Sequence, residues 1–250
     1  MKKLTRVEKK RKRRKFLFRI FLLCIIALTI GIYAINSDFF VIRDISVYGN
    51  NKLTNEEIIF ATPINIGENI FRVSLKNAQA NLVKLPYVKE VKIKRKYPKD
   101  IIVNISERKE TAQIKKDFSI IVIDYEGYIL DIRDYEDEKL PMFYGISIDG
   151  INITDNLNKI EGNKDNLEFI IESTDIGLLT KMDEIYMVDN NNINIVLNNG
   201  INVAFGPINN VEYKLKLLNE VIKDIEKKEL SCKMILMDKG DNPIIVLKEE

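Results

Sequence analysis

The chain has 250 residues, 46% of them hydrophobic, with 39 lysines and arginines against 37 aspartates and glutamates and a sequence pI near 8.3. That hydrophobic share supports packed cores rather than a disordered chain. The absence of histidine excludes Ser-His-Asp and Cys-His catalysis and histidine metal sites.

The near-neutral balance averages two opposite regions. Before Ile20 stand eleven basic residues (Lys2, Lys3, Arg6, Lys9, Lys10, Arg11, Lys12, Arg13, Arg14, Lys15, Arg19) and one acid, Glu8. From Ile20 onward 28 basic residues face 36 acidic ones, so the tail carries about +10 and the remainder about −8. A basic run can bind nucleic acid. Here it abuts an apolar run, Ile20 to Ser37, and reads instead as a positive-inside signal, with no nucleic-acid partner expected. The 18 residues from Ile20 to Ser37 carry no charge, and Phe16 to Phe18 extend them past an Arg19 that can snorkel. About 20 apolar residues cross the roughly 30 Å of bilayer hydrocarbon. The anchor side chains are Ile20, Leu22, Leu23, Ile25, Ile26, Leu28, Ile30 and Ile32. A cleaved signal peptide would end in a small-x-small site, and Ala34-Ile35-Asn36 fits that poorly, so the segment reads as a retained span. The tail, residues 1–19, is expected in the cytoplasm, with everything past the span at residues 20–37 lying outside and membrane lipids as the first partner.

Cys24 falls in the apolar run and Cys232 far beyond it, so they cannot pair within one chain and the outer part is expected to rely on its core. The first outer segment then reads strand, helix, helix, strand, strand. Val41 to Tyr48 puts Ile45 and Val47 on one face and ends at the turn Gly49-Asn50. Thr54 with Glu57 forms a capping box, with Leu53 and Ile58 as the staple, and the helix stops before Pro63. Ser74 caps a second helix with Leu75, Ala78 and Leu82 on one stripe. Val91, Ile93 and Arg95 alternate with Lys92, Lys94 and Lys96 in a strand whose lysines suit a solvated face. Tyr97 to Asp100 turns the chain into Ile101, Val103 and Ile105. The basic run Lys89 to Lys99 reads as a soluble outer face rather than a binding patch.

The spacing Val47-x-Gly49-Asn50, Leu85-Pro86-Tyr87-Val88, Arg95-Lys96-Tyr97-Pro98 and Ile105-x-Glu107-Arg108 resembles the POTRA module of the FtsQ/DivIB cell-division proteins. Tyr97 stands where that family often has tryptophan. The resemblance implies a bitopic α+β protein: a single N-terminal transmembrane helix, a POTRA module (β-α-α-β-β) over 41–108, and a mostly antiparallel β domain with packed helices over 109–250. It also implies a cell-membrane protein of the division septum, without enzymatic activity or cofactor.

Further strands follow from Thr111. Ile120 to Ile123 and Tyr128 to Ile132 flank the turn Asp124-Tyr125-Glu126-Gly127 as a hairpin. Leu140-Pro141, with Gly145 after it, resembles that family's next strand entry. Lys164 to Thr174 reads as a helix with Leu167, Ile170, Ile171 and Thr174 facing in. Ile185 to Val188 and Ile193 to Leu197 are strand candidates, and Asn198-Asn199-Gly200 is a hairpin turn into Ile201, Val203 and Phe205. After Gly206-Pro207 comes the best-patterned helix, with Val211, Leu215, Leu218, Val221, Ile222 and Ile225 at a period of 3.6. Met234 to Met237 and Pro243 to Leu247 are the last strands, joined by Asp238 to Asn242.

The final run, Ile244-Ile245-Val246-Leu247, has two readings. It is either a margin strand protected by Pro243, Lys248 and Glu249, or an open edge to which another chain adds a strand. The family resemblance implies the second, with Asp238, Lys239 and Ile244 to Leu247 receiving an FtsB/DivIC-like partner that pairs with an FtsL-like one, alongside the septal peptidoglycan synthesis machinery. Where that family often carries a basic residue and an aromatic, this chain has Asp238 and aliphatic residues. Two alternatives stand beside this reading. A membrane-anchored peptidoglycan hydrolase would need a carboxylate pair, and Asp124 with Glu126 or Asp131 with Asp134 read as turn and surface residues instead. Another envelope POTRA protein, of the outer-membrane kind, would need a long barrel region for which too few residues remain. Gly67-Glu68-Asn69 is a turn, and no phosphate-binding or dinucleotide fingerprint is present.

Overall fold

The computed structural model describes residues 6–248 apart from 188, 190 and 241. The first five residues of the basic tail, Val188 at the end of an expected strand, Asp241 in the last loop and Glu249 beyond the final strand lie outside the described residues. The apolar run forms α1 (Arg6–Ile35), of which Arg13–Ile35 is long and apolar enough to cross a membrane. Those 23 residues extend about 35 Å at 1.5 Å per residue. The helix therefore begins well before Ile20 and stops two residues short of Ser37. It stops where side chains take over its orphan carbonyls: Asn36 donates to the Ile32 carbonyl (2.8 Å) and Ser37 to that of Ala34 (2.6 Å).

The chain separates into two compact units. The first contains α1, residues up to Val83 and Glu90–Ser106. Its elements are β1 (Asp44–Tyr48), α2 (Asn55–Phe60), α3 (Leu75–Leu82), β2 (Val88–Lys96) and β3 (Asp100–Glu107), the expected order. The sheet runs β1-β3-β2, with β1 parallel to β3 from Asp44↔Asp100 to Tyr48↔Asn104. The capping box forms as expected: the Glu57 amide donates to Thr54 Oγ1 (3.2 Å) and the Thr54 amide to Glu57 Oε2 (2.8 Å). Ile58, Ala78, Leu82, Ile101 and Val103 are fully buried. Arg95 earns its inward position by donating to the carbonyls of Ile70 (2.7 Å) and Val73 (2.8 Å). Gly49 has φ +86°, and a Cβ there would stand 2.1 Å from the Ile105 carbonyl oxygen, so only glycine fits the end of β1.

The second unit joins Lys84–Lys89 to everything from Glu107. Its elements are β4 (Ala112–Lys116), β5 (Ser119–Ile123), β6 (Ile129–Arg133), β7 (Met142–Tyr144), α4 (Lys164–Asp175), β8 (Met182–Met187), β9 (Ile193–Leu197), β10 (Asn202–Gly206), α5 (Val211–Lys227), β11 (Cys232–Leu236) and β12 (Ile244–Leu247). They build one nine-stranded sheet in the order β12-β11-β10-β9-β8-β7-β4-β5-β6. Pairing is antiparallel except at β4/β7, β7/β8 and β10/β11. A single apolar core holds residues of the sheet together with those of α4 and α5. The inward face of α4 differs from the one its sequence predicts. Leu167 and Ile170 are buried, but Phe169 and Ser173 join them, while Ile171 and Thr174 are only half-buried. The Phe169 ring turns the helix: it packs edge-on against Phe143 (6.3 Å) and Phe205 (5.5 Å).

An ionic cluster occupies the start of this unit. Arg108 Nη1 donates to Asp124 Oδ2 and to Glu126 Oε2 (2.8 Å), and its guanidinium lies 3.6 Å from the Tyr128 ring centre. Lys89 donates to Glu126 Oε1 and to the Tyr125 hydroxyl, both at 2.9 Å. Asp124 Oδ1 accepts from the amides of Glu126 (3.0 Å) and Tyr128 (2.8 Å), which shapes the hairpin turn. A second group links Arg133 to Glu110 and Asp131, with the Tyr87 hydroxyl donating to Glu110 (2.7 Å). Burial alone would raise the Glu126 carboxyl, yet the hydrogen bonds from Lys89 and Arg108 hold it below the usual carboxylate range.

Asp124 is 1% exposed, so removing its cation strands a buried charge. Arg108→Leu is expected to destabilise the second unit by about 3 kcal/mol in denaturant unfolding. A lowered carboxyl stabilises at pH above its unfolded value and loses that contribution as pH falls through its folded value. Wild type is therefore expected to lose stability at acid pH more steeply than Arg108→Leu, and parallel pH profiles would contradict the Glu126 assignment.

Candidate docking edge

The final strands are built around a parallel step. β10 and β11 pair in parallel from Asn202↔Met234 to Ala204↔Leu236, which requires a crossover, and α5 supplies it. α5 buries Val211, Leu215, Leu218, Ile222 and Ile225 as the period predicts, with Val221 half-buried. The turn from β10 into α5 needs Gly206, at φ +75°: a Cβ there would come within 3.0 Å of Asp238 Cβ. Cys232 is 3% exposed on β11, and burial pushes its thiol up from the ordinary range. That fits a structural rather than reactive cysteine.

After β11 the Met237 amide donates to the Ala204 carbonyl (2.8 Å), and the chain turns through Asp238, Lys239 and Gly240 into β12. β12 pairs antiparallel with β11 in the register Leu236↔Ile244, Ile235↔Ile245, Met234↔Val246 and Cys232↔Leu247, with a bulge between Cys232 and Met234. It stands at one end of the nine-strand order, so its other side carries no strand among the described residues. The Lys248 amide donates to the Ser231 carbonyl (2.7 Å). Amides two residues apart share a direction along a strand, so those of Ile244 and Val246 face β11, and those of Ile245 and Leu247 face the open side. The Ile245 side chain packs against the core, whereas Ile244, Val246 and Leu247 are 47%, 37% and 52% exposed.

The six residues read from the sequence thus divide. Ile244 to Leu247 form the edge strand, and Asp238 and Lys239 lie in the loop before it, joined to each other by an exposed ion pair of 3.2 Å. Such a pair contributes little. A cleft of about 470 Å³ borders the start of β12 and is lined by Pro207, Tyr213, Lys214, Leu217, Asp238 and Pro243 among others. The α5 face of this cleft is not among the sequence-derived residues. Its central member is Lys214, whose ammonium donates to the carbonyls of Phe205 (2.6 Å) and Pro207 (2.8 Å) and sits 4.2 Å from the Phe205 ring centre. Burial lowers the Lys214 ammonium, against the opposing charge of Asp238. The cue in the sequence is indirect: Gly206-Pro207 ends the strand and leaves carbonyls that need a donor.

The anchor side chains Ile20, Leu22, Leu23, Ile25, Ile26, Leu28, Ile30 and Ile32 are all exposed along α1. Asp124 and Glu126 are held by Arg108 and Lys89, and Asp131 by Arg133, while Asp134 lies exposed.

A family model described as the POTRA domain, FtsQ-type, matches residues 40–108, and one described as cell division protein FtsQ/DivIB, C-terminal, matches residues 112–237. β12 lies just beyond the second match. The chain is 29% identical over 208 residues to cell division protein DivIB of Clostridium tetani, covering 81% of this chain and 72% of that protein. It is 28% identical over 255 residues to DivIB of Clostridium botulinum (strain Hall), covering 98% and 95%. The solved extracytoplasmic domain of the trans isomer of DivIB from Geobacillus stearothermophilus aligns with 49% of this chain and 97% of that one, at 15% identity and a TM-score of 0.32, too low to bear on the fold.

Removing the Lys214 ammonium leaves two carbonyls without their donor. Lys214→Met is expected to cost about 2 kcal/mol in denaturant unfolding and to speed amide exchange at Met237. Unchanged stability and exchange would show that the ammonium does not hold this corner.

Proposed function

Because the chain belongs to the FtsQ/DivIB family of cell-division proteins, we propose that it is a bitopic, non-enzymatic scaffold of the division septum. Residues 1–19 lie on the cytoplasmic side, the apolar run of α1 from Ile20 crosses the cell membrane, and residues 41–108 and 109–250 act outside as a POTRA domain and a β domain. The working surface is β12 with the loop at Asp238 and Lys239. An FtsB/DivIC-like partner, itself paired with an FtsL-like one, adds a strand to the open side of β12, and the assembly meets the septal peptidoglycan synthesis machinery.

The observation that carries this reading is the exposed apolar strand at the end of the sheet, with the Ile245 and Leu247 amides directed away from β11. Monomeric proteins usually shorten, charge or cover such an edge. Strand addition draws affinity from main-chain hydrogen bonds and selectivity from the side chains beside them. Aliphatic side chains at Ile244 and Val246 suit an apolar partner face, and Lys239 and Lys248 flank it. The charged ring of Asp124, Glu126, Arg108 and Lys89 is internally matched and serves the hairpin turn.

Ile245→Pro deletes one outward amide while leaving the β11 ladder intact. In detergent-solubilised full chain it is expected to weaken capture of an FtsB/DivIC–FtsL-type pair about tenfold, the equivalent of about 1.4 kcal/mol, while thermal unfolding, lowered by the lost Ile245 packing, stays cooperative. Equal capture by both would move the surface off β12. Loss of folding in the variant would show β12 to be integral to the core, and Leu247→Pro at the strand end would then decide the binding question.

A further inference from the structure

The first unit carries an aromatic face where the membrane helix ends. Asn69 donates from its side chain to the Ile35 carbonyl (2.7 Å), and Arg72 donates to Asn36 Oδ1 (2.6 Å). The segment that follows is tied to the same loop, by the Ile42 amide to the Glu68 carbonyl (2.8 Å) and the Ile70 amide to the Phe40 carbonyl (2.9 Å). A third segment joins through the Arg43 amide and the Lys99 carbonyl (2.8 Å). Four rings from these three segments meet in a row: Phe39 with Phe40 at 5.1 Å, Phe40 with Phe71 at 5.0 Å, and Phe71 with Tyr97 at 5.4 Å. Phe39, Phe71 and Tyr97 are nevertheless 61%, 39% and 57% exposed. The buried hydrophobic residues of this unit are all aliphatic, so the rings are gathered at its surface and not drawn into its core.

We propose that Phe39, Phe71 and Tyr97 form a membrane-docking surface that rests in the headgroup layer of the leaflet from which α1 emerges. The proposal rests on α1 spanning the membrane. Its occupant follows from continuity with that span: Phe39 is four residues past Ile35, within about 14 Å of the helix end even for an extended chain. Aromatic rings concentrate at the membrane–water boundary because they are apolar bodies that tolerate a wet rim, and the Tyr97 hydroxyl adds a polar tip. Nearby charges almost cancel, with Arg43, Arg72, Lys96 and Lys99 against Asp38, Glu68 and Asp100. Ring burial, not attraction to anionic lipid, therefore drives the contact, and it should depend little on salt. The consequence is that the first unit is held against the lipid surface instead of swinging on a free tether.

The chain has no tryptophan, so one substitution makes a unique fluorescent reporter. Full chain carrying Tyr97→Trp, or separately Phe39→Trp, is reconstituted in phosphatidylcholine–phosphatidylglycerol vesicles with and without lipids brominated near the headgroup. Tyr33→Trp, within α1, reports the span itself. Docking predicts that the indole at position 97 or 39 emits to the blue and loses emission to brominated lipid, equally at low and high salt, while resisting aqueous iodide. Quenching at position 33 with none at 97 or 39, and free access of iodide to both, would overturn the proposal and leave the face open to a protein. No lipid quenching at position 33 would overturn the span reading and the docking surface together.

Discussion

A β-sheet must end somewhere, and each end exposes a row of amides and carbonyls that water or another chain has to satisfy. The nine-stranded sheet meets this constraint differently at its two margins. At β6 the outer side is already engaged: the Ile129 amide donates to the Asp155 carbonyl (2.8 Å), and the Thr154 amide donates to that of Ile129 (2.9 Å). Asp131 and Arg133 then charge the rest of that strand. At β12 the strand is aliphatic throughout, and Ile244, Val246 and Leu247 are left in water. The two edges differ in the very devices that prevent unwanted strand addition.

The position of β12 at a margin follows from the step before it. Parallel pairing of β10 with β11 commits the chain to a helical crossover, and α5 spends its apolar stripe on the sheet face. Lys214 and Gly206 fix the corner where that crossover leaves the sheet, and the Asp238 loop packs on the same corner. The return strand then has one neighbouring strand among the described residues, β11. Corner, cleft and edge are therefore one construction. At the opposite end of the unit, Arg108 spans the buried Asp124 and the half-exposed Glu126, so the hairpin turn between β5 and β6 is stapled to the segment that precedes β4.

Much of this was legible locally. The Thr54–Glu57 capping box, the lysine alternation through Lys92, Lys94 and Lys96, the Asn198-Asn199-Gly200 turn and the α5 stripe each depend on residues a few positions apart, and each forms where the sequence predicts it. Features that depend on distant partners were not. Nothing near Met142 announces that β7 threads between β4 and β8, because parallel neighbours are set by crossovers and not by local pattern. Phe169 reorients α4 through rings on β7 and β10. Lys214 looks like a solvent-facing helix residue until the Phe205 and Pro207 carbonyls are brought beneath it. The apolar character of the last strand was visible, whereas which of its amides point outward required the register with β11.

Strand addition at β12 makes one demand that no other mode of docking shares. Residue-resolved amide hydrogen exchange on the full chain, alone and with a bound FtsB/DivIC–FtsL-type pair, tests it directly. If the partner pairs with the open side, the Ile245 and Leu247 amides, turned away from β11, become slow on binding, while those of Ile244 and Val246, already turned toward β11, change much less. Ile245 and Leu247 exchanging at their free rates in a saturated complex, with new protection elsewhere, would contradict docking on this edge.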